Sequence, residues 1–161
     1  MKLGIVSDTH MPQRGIHLPA ALISGLQGVD LILHAGDITQ FFVLDELSRL
    51  APVEAVAGNV DPPELRERLG SKKLVRADRF VIGLVHGDNP CGNALVGALH
   101  AFEDQDVDCV VFGHSHQAHC ERHGEVLFLN PGSPTDKRRS PKPSYAILHV
   151  GDSLRGEIIY F

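Results

Sequence analysis

The chain has 161 residues, 43% of them hydrophobic and 22% charged, which suits one globular domain spanning 1–161 and excludes disorder, collagen and coiled coil. Its 15 basic and 20 acidic side chains leave a formal charge of −5, unlike a protein that coats nucleic acid with clustered Lys and Arg. One number is unusual: the ten His outnumber the seven Phe and two Tyr combined, and Trp is absent.

Apolar β-like runs alternate with amphipathic stretches, and no linker or repeat divides them. Residues 2–7 read as a strand, followed by a loop with Pro12, Gln13 and Arg14. Pro19 suits a helical first turn and opens a helix through about Gln27; residues 30–34 form the next strand. Phe41, Leu44, Leu47 and Leu50 fall at helical spacing behind Thr39 as N-cap. Residues 53–57 make a third strand. Asp61-Pro62-Pro63-Glu64 then predicts a helix with Asp61 as N-cap and Pro62 at its first position, ending near Gly70. Residues 72–76 and 79–85 pair through a turn at Ala77-Asp78, and Leu95, Ala98, Leu99 and Phe102 mark a helix face before the strand at 108–112. Residues 118–122, 125–129, 144–150 and 154–161 read as strands, with turns at Gly124 and Gly151-Asp152. The pattern is α/β first and almost entirely β afterwards.

Asp8 falls too early for the apolar core of a signal peptide, and no apolar run approaches the ~20 residues of a membrane span. Cys91, Cys109 and Cys120 form no CxxC pair, and Cys109 lies in an apolar run that suits a small core hydrophobe. A cytoplasmic, reduced protein without membrane insertion is the expectation.

The informative pattern lies at the ends of five apolar runs. Gly4-Ile5-Val6 leads into Asp8-Thr9-His10, and Leu31-Ile32-Leu33 into His34-Ala35-Gly36-Asp37. The third leads into Gly58-Asn59, the fourth into His86-Gly87-Asp88, the fifth into Gly113-His114-Ser115-His116. Ligands of α/β sheets bind outside the carboxyl ends of strands, so Asp8, His10, Asp37, Asn59, His86, His114 and His116 are expected around one crevice. A single Asp or His after a strand is ordinarily a turn, cap or satisfied polar group; five strand ends with the same chemistry favour a metal site. Seven donors with one bridging carboxylate give four bonds to each of two ions, and imidazole with carboxylate suits Mn, Fe, Zn, Ni or Co better than Ca or Mg. Two such ions bring +4 against −2 from the aspartates, leaving charge to attract a phosphate and acidify water. Asp61 is left out, because capping accounts for it.

These blocks, with Asn130-Pro131-Gly132-Ser133, resemble the calcineurin-like metallophosphoesterase superfamily, in particular its small single-domain bacterial and archaeal phosphodiesterases. The resemblance implies a four-layer α/β/β/α sandwich of two mixed sheets, packed face to face and flanked by helices. Asp8, His10 and His116 would hold one metal, Asn59, His86 and His114 the other, and Asp37 would bridge them. Asp37, Asn59, His86 and His114 would be the catalytic set, Mn²⁺ the usual activating ion, and a metal-bridging hydroxide the in-line attacker on a small phosphodiester substrate. Many members carry His after Gly-Asn, able to protonate the leaving oxygen; here Val60 stands there. His17 and His34 are substitute acids that nothing in the sequence places near the leaving group.

Several features have plainer readings. His119 and His123 flank a β-like run as exposed residues, and with His114, His116 and Cys120 they match no structural zinc module. His100 sits on a helix with no partner motif. Cys120 lacks the Cys-x5-Arg pattern, since Val126 is the sixth residue after it, and neither GxxxxGK[ST] nor GxSxG occurs. Lys137-Arg138-Arg139 with Lys142 suits a solvated loop, or a loop that gathers substrate phosphates. The competing reading is non-catalytic: the same fold includes a scaffold subunit of a membrane-trafficking coat, although a scaffold need not keep all seven donors. A homodimer is compatible with a small α/β enzyme, but no apolar stripe argues for one.

Overall fold

The computed structural model describes residues 1–90 and 92–161; Cys91 lies outside the described residues. Two five-stranded mixed sheets carry the fold. The first orders β10 (Leu154–Tyr160), β9 (Ser144–Val150), β1 (Lys2–Val6), β2 (Leu31–His34) and β3 (Val53–Ala55). The second orders β4 (Lys72–Ala77), β5 (Phe80–Val85), β6 (Cys109–Val111), β8 (Val126–Asn130) and β7 (His119–His123). β1, β2 and β3 run parallel, as do β5, β6 and β8, while β9, β10, β4 and β7 pair antiparallel with their neighbours.

Alternation of side chains explains why the central strands read as unbroken apolar runs. Leu3 and Ile5 of β1, Leu33 of β2, Cys109 and Val111 of β6 and Leu127 and Leu129 of β8 point inward and form the core between the sheets. Val6 and Ile32 point outward and pack under α1 (Ala20–Gly25), α2 (Phe41–Ser48) and α3 (Pro63–Leu69), through Leu22, Leu26, Val43, Leu47 and Leu65. Val110, Phe112 and Phe128 likewise meet Ala94, Ala98 and Phe102 at α4 (Ala94–Ala101). Strands buried on both faces have no polar face to show. The expected four layers are present.

Three helix starts differ from expectation. Pro19 is the N-cap of α1, not its first residue. The N-cap of α2 is Gln40, because Thr39 has a positive φ and its hydroxyl donates to the Met11 carbonyl. The N-cap of α3 is Pro62, and Pro63 is its first residue. A residue before proline is driven out of the α region, and Pro62 accordingly is extended with ψ 160°. Asp61 is thereby free for another task. The β4–β5 turn also shifts to Asp78-Arg79, where Asp78 takes a positive φ of 56°.

Leu33 is fully buried between the sheets. Leu33→Ala is expected to lower unfolding free energy by about 2–5 kcal/mol, read from urea denaturation; a loss below about 1 kcal/mol would contradict the packing described.

Candidate metal centre

The carboxyl ends of β1, β2, β3, β5 and β6 meet at one edge of the sandwich, and all seven predicted donors stand there. The glycines behind them matter at two positions. Gly36 has a φ of 96°, and a Cβ at Gly58 would lie 2.5 Å from the Asp37 amide nitrogen. Five donors themselves take left-handed backbone: Asp8 (φ 57°), His10 (45°), Asp37 (57°), His114 (68°) and His116 (59°). Such residues cluster at functional sites, because only a surrounding structure that over-determines them holds the strain.

In one half of the cleft, buried Asp8 Oδ1 lies 3.3 Å from His116 Nε2 and 3.8 Å from His10 Nε2. The two imidazoles stack, with their Nε2 atoms 3.1 Å apart. In the other half, Asn59 Oδ1 lies 3.1 Å from both His86 Nε2 and His114 Nδ1, which are 3.3 Å from each other. Asp37 Oδ2 reaches both halves, 3.6 Å from His10 Nε2 and 3.2 Å from His86 Nε2.

Tautomers decide what this crowding means. His86 Nδ1–H donates to the Ala35 carbonyl at 2.7 Å, and His116 Nδ1–H donates to the Asp136 carbonyl at 2.5 Å. Each Nε2 is therefore the lone-pair nitrogen facing the cleft, the arrangement by which backbone carbonyls orient metal-ligating imidazoles. Asp8 Oδ1, buried, accepts no hydrogen bond. Where His116 Nε2 meets Asp8 Oδ1, and His86 Nε2 meets Asp37 Oδ2 and Asn59 Oδ1, acceptor faces acceptor, a spacing that a cation, or a proton in its stead, relieves. Burial pushes the His86 pKa down, yet Asp37 and Asp8 lift it to about 9. Burial likewise pushes Asp8 up, but His10 and His116 hold it well below the carboxylate range. Two overlapping groups that share Asp8, Asp8/His10/His116 and Asp8/Asp37/His86, each converge closely enough to hold an ion. The residues fit divalent metals.

Other residues build the frame. The Asp61 carboxylate accepts from the amides of Gly58 (2.7 Å), Asp37 (3.0 Å) and Thr39 (2.6 Å). It ties the β2–α2 loop to the β3–α3 loop, a role its spacing as a helix cap concealed. Asn130 Nδ2 donates to the Gly113 carbonyl at 2.7 Å, and the Ser133 hydroxyl to the Asp8 carbonyl at 2.8 Å. The Asn-Pro-Gly-Ser segment is thus the floor of the site. His34 lies beneath, fully buried, accepting from the Gly36 amide through Nδ1, and burial depresses its pKa to about 4. His17 is exposed beside Glu46.

A cavity of about 540 Å³ opens over His10, lined also by Gln13, Arg14, Val60, Asp136 and Arg138. Val60 is 48% exposed there, its amide donating to Asp37 Oδ1 at 3.0 Å. Neither His17 nor His34 lines it. Arg14 and Arg138 both approach Asp136, at 3.2 and 3.8 Å, so two guanidiniums are held at the wall.

A sequence profile of the calcineurin-like phosphoesterase superfamily domain matches residues 1–153. The chain belongs to that superfamily. Among calcineurin-like phosphoesterases it is 39% identical over 161 residues to a probable metallophosphoesterase of Methanothermobacter thermautotrophicus, covering 99% of this chain and 92% of the other. A solved archaeal phosphodiesterase is similar at 27% identity and a TM-score of 0.73, over 99% of this chain and all of that one. Vps29 from Entamoeba histolytica is similar at 25% identity and a TM-score of 0.82, over all of this chain and 99% of that one; its zinc complex gives 26% and 0.77, over 99% of each chain.

Asp61→Ala strands three loop amides. Loss of a charged acceptor costs about 1.5–3 kcal/mol per hydrogen bond, so at least about 3 kcal/mol of unfolding free energy should be lost. Urea denaturation measures it; a change below about 1 kcal/mol would show that the amides find other partners.

Proposed function

We propose that the chain is a dinuclear-metal-dependent phosphodiesterase, with Mn²⁺ as activating ion. The observation that carries this reading is the convergence of Asp8, Asp37, Asn59 and four imidazoles, with the lone pairs of His86 and His116 turned toward carboxylate oxygens, beside an open cavity walled by two guanidiniums. Asp8, His10 and His116 would hold one ion, Asn59, His86 and His114 the other, with Asp37 shared. Bound divalent ions supply positive charge that polarises phosphoryl oxygens and lowers the pKa of a nucleophilic water. The carbonyls of Ala35 and Asp136 keep His86 and His116 aimed at the cleft. Arg14 and Arg138 give the approaching phosphate a favourable field, and Asp136 limits how far they swing.

Val60 presents an apolar side chain to the cavity where many members of the superfamily carry a His able to donate a proton. General acid catalysis typically contributes ~100- to 10,000-fold. Its lack at this wall favours diesters with activated leaving groups, such as aryl phosphodiesters, over alkyl monoesters. The likeness to Vps29 supports the competing reading, a protein-interaction scaffold on the same fold.

Bis-aryl phosphate hydrolysis with Mn²⁺ separates the two. Turnover is expected, falling about 100-fold or more in Asp37→Ala and in Asn59→Ala. Full metal loading without turnover would favour the scaffold. Val60→His should raise the rate on a poor, alkyl leaving group by about tenfold or more while changing the aryl rate less. An unchanged alkyl rate would remove the general-acid argument.

A further inference from the structure

His119, Glu121 and His123 alternate along β7, so all three side chains share one face of the edge strand of the second sheet. Four residues of a strand span roughly 13 Å between Cα atoms, yet the two imidazole centroids are 6.4 Å apart. The rings lean toward each other over Glu121. Its Oε2 lies 3.9 Å from His119 Nε2 and 4.0 Å from His123 Nε2. These separations are too long for hydrogen bonds and close to the spacing of donors around one ion, roughly 3.4 Å for tetrahedral bonds of 2.0–2.1 Å.

Two further observations show a prepared arrangement. His119 Nε2 is buried and has no hydrogen-bond partner, although the ring stands at the surface. The imidazoles are also propped from behind, His119 by Phe112 at 6.0 Å between centroids and His123 by Phe128 at 5.2 Å. The three donor atoms all lie within 4.8 Å of one another. None belongs to the cleft donors or lines the cavity above them.

We infer that His119, Glu121 and His123 form a further metal site, separate from the cleft and at the surface of the second sheet. Two imidazoles and one carboxylate suit Zn²⁺, Cu²⁺, Ni²⁺ or Co²⁺ and disfavour Ca²⁺ and Mg²⁺. Three protein donors leave at least one coordination position to water or to a donor from another molecule. A small turn of each imidazole and of the exposed Glu121 side chain brings the three donors to bonding distance of one ion.

The test is Zn²⁺ stoichiometry on the metal-stripped full chain, by competition with a chromophoric chelator. The His119→Gln/His123→Gln double variant should bind one Zn²⁺ fewer per chain than the parent. Glu121→Gln should weaken that one equivalent by about tenfold or more. Equal stoichiometry and affinity in parent and double variant would overturn the site. Should the double variant fail to fold, long-range ¹H–¹⁵N spectra of the parent decide. The Nε2 resonances of His119 and His123 shift together on saturation with Zn²⁺ if the site exists, and stay in place if it does not.

Discussion

Donors from two sheets can face one another only if the chain reverses direction sharply at the end of each strand, and the left-handed backbone at Asp8, His10, Asp37, His114 and His116 accomplishes that reversal. At about 1 kcal/mol or more for each such residue, the total is comparable with the ~5–15 kcal/mol net stability of a domain. The loops sustain it by bonding to each other. Asp8 N–H donates to Gly36 O, His10 N–H to Asp37 O and Gly113 N–H to His86 O, each at 3.0 Å. His114 N–H donates to Asp8 Oδ2, also at 3.0 Å, and joins the second sheet to the first. The site is the seam between the sheets.

The same constraint governs how much of the molecule was legible in the sequence. A strand buried on both faces reads as an apolar run, so a polar residue just past its end is conspicuous, and all seven candidate donors were visible that way. The frame was not. Asp61 bonds amides 22 and 24 positions away, while its neighbours Pro62, Pro63 and Glu64 advertise a helix cap. Ser133 meets Asp8 across 125 positions. Spacing reports local geometry, and these contacts exist only once the sheets have stacked. Along β7 the opposite holds: His-x-Glu-x-His is a period-two pattern present in the sequence, but the likeness of exposed His to solvated flanks conceals it until the lean of the rings is seen.

The cleft and its cavity divide the work between them. The acceptors of the floor are placed with little freedom, buried and tied to carbonyls, so their preference is for charge of one sign. The wall is looser: Arg14, Arg138 and Val60 stand on exposed loops. Buried, carbonyl-tied imidazoles and exposed guanidiniums thus differ in mobility within one cleft.

β1 lies in the middle of the first sheet, between β2 and β9. Its second neighbour begins at Ser144, and the Asp8 carbonyl waits for the hydroxyls of Ser133 and Thr135. During vectorial synthesis Asp8 therefore emerges long before the hydroxyls and the strand that fasten it, 125 or more positions later. A chain halted just short of β9 would hold every residue of the cleft and still leave one edge of β1 unpaired, the kind of apolar edge that other chains can pair with.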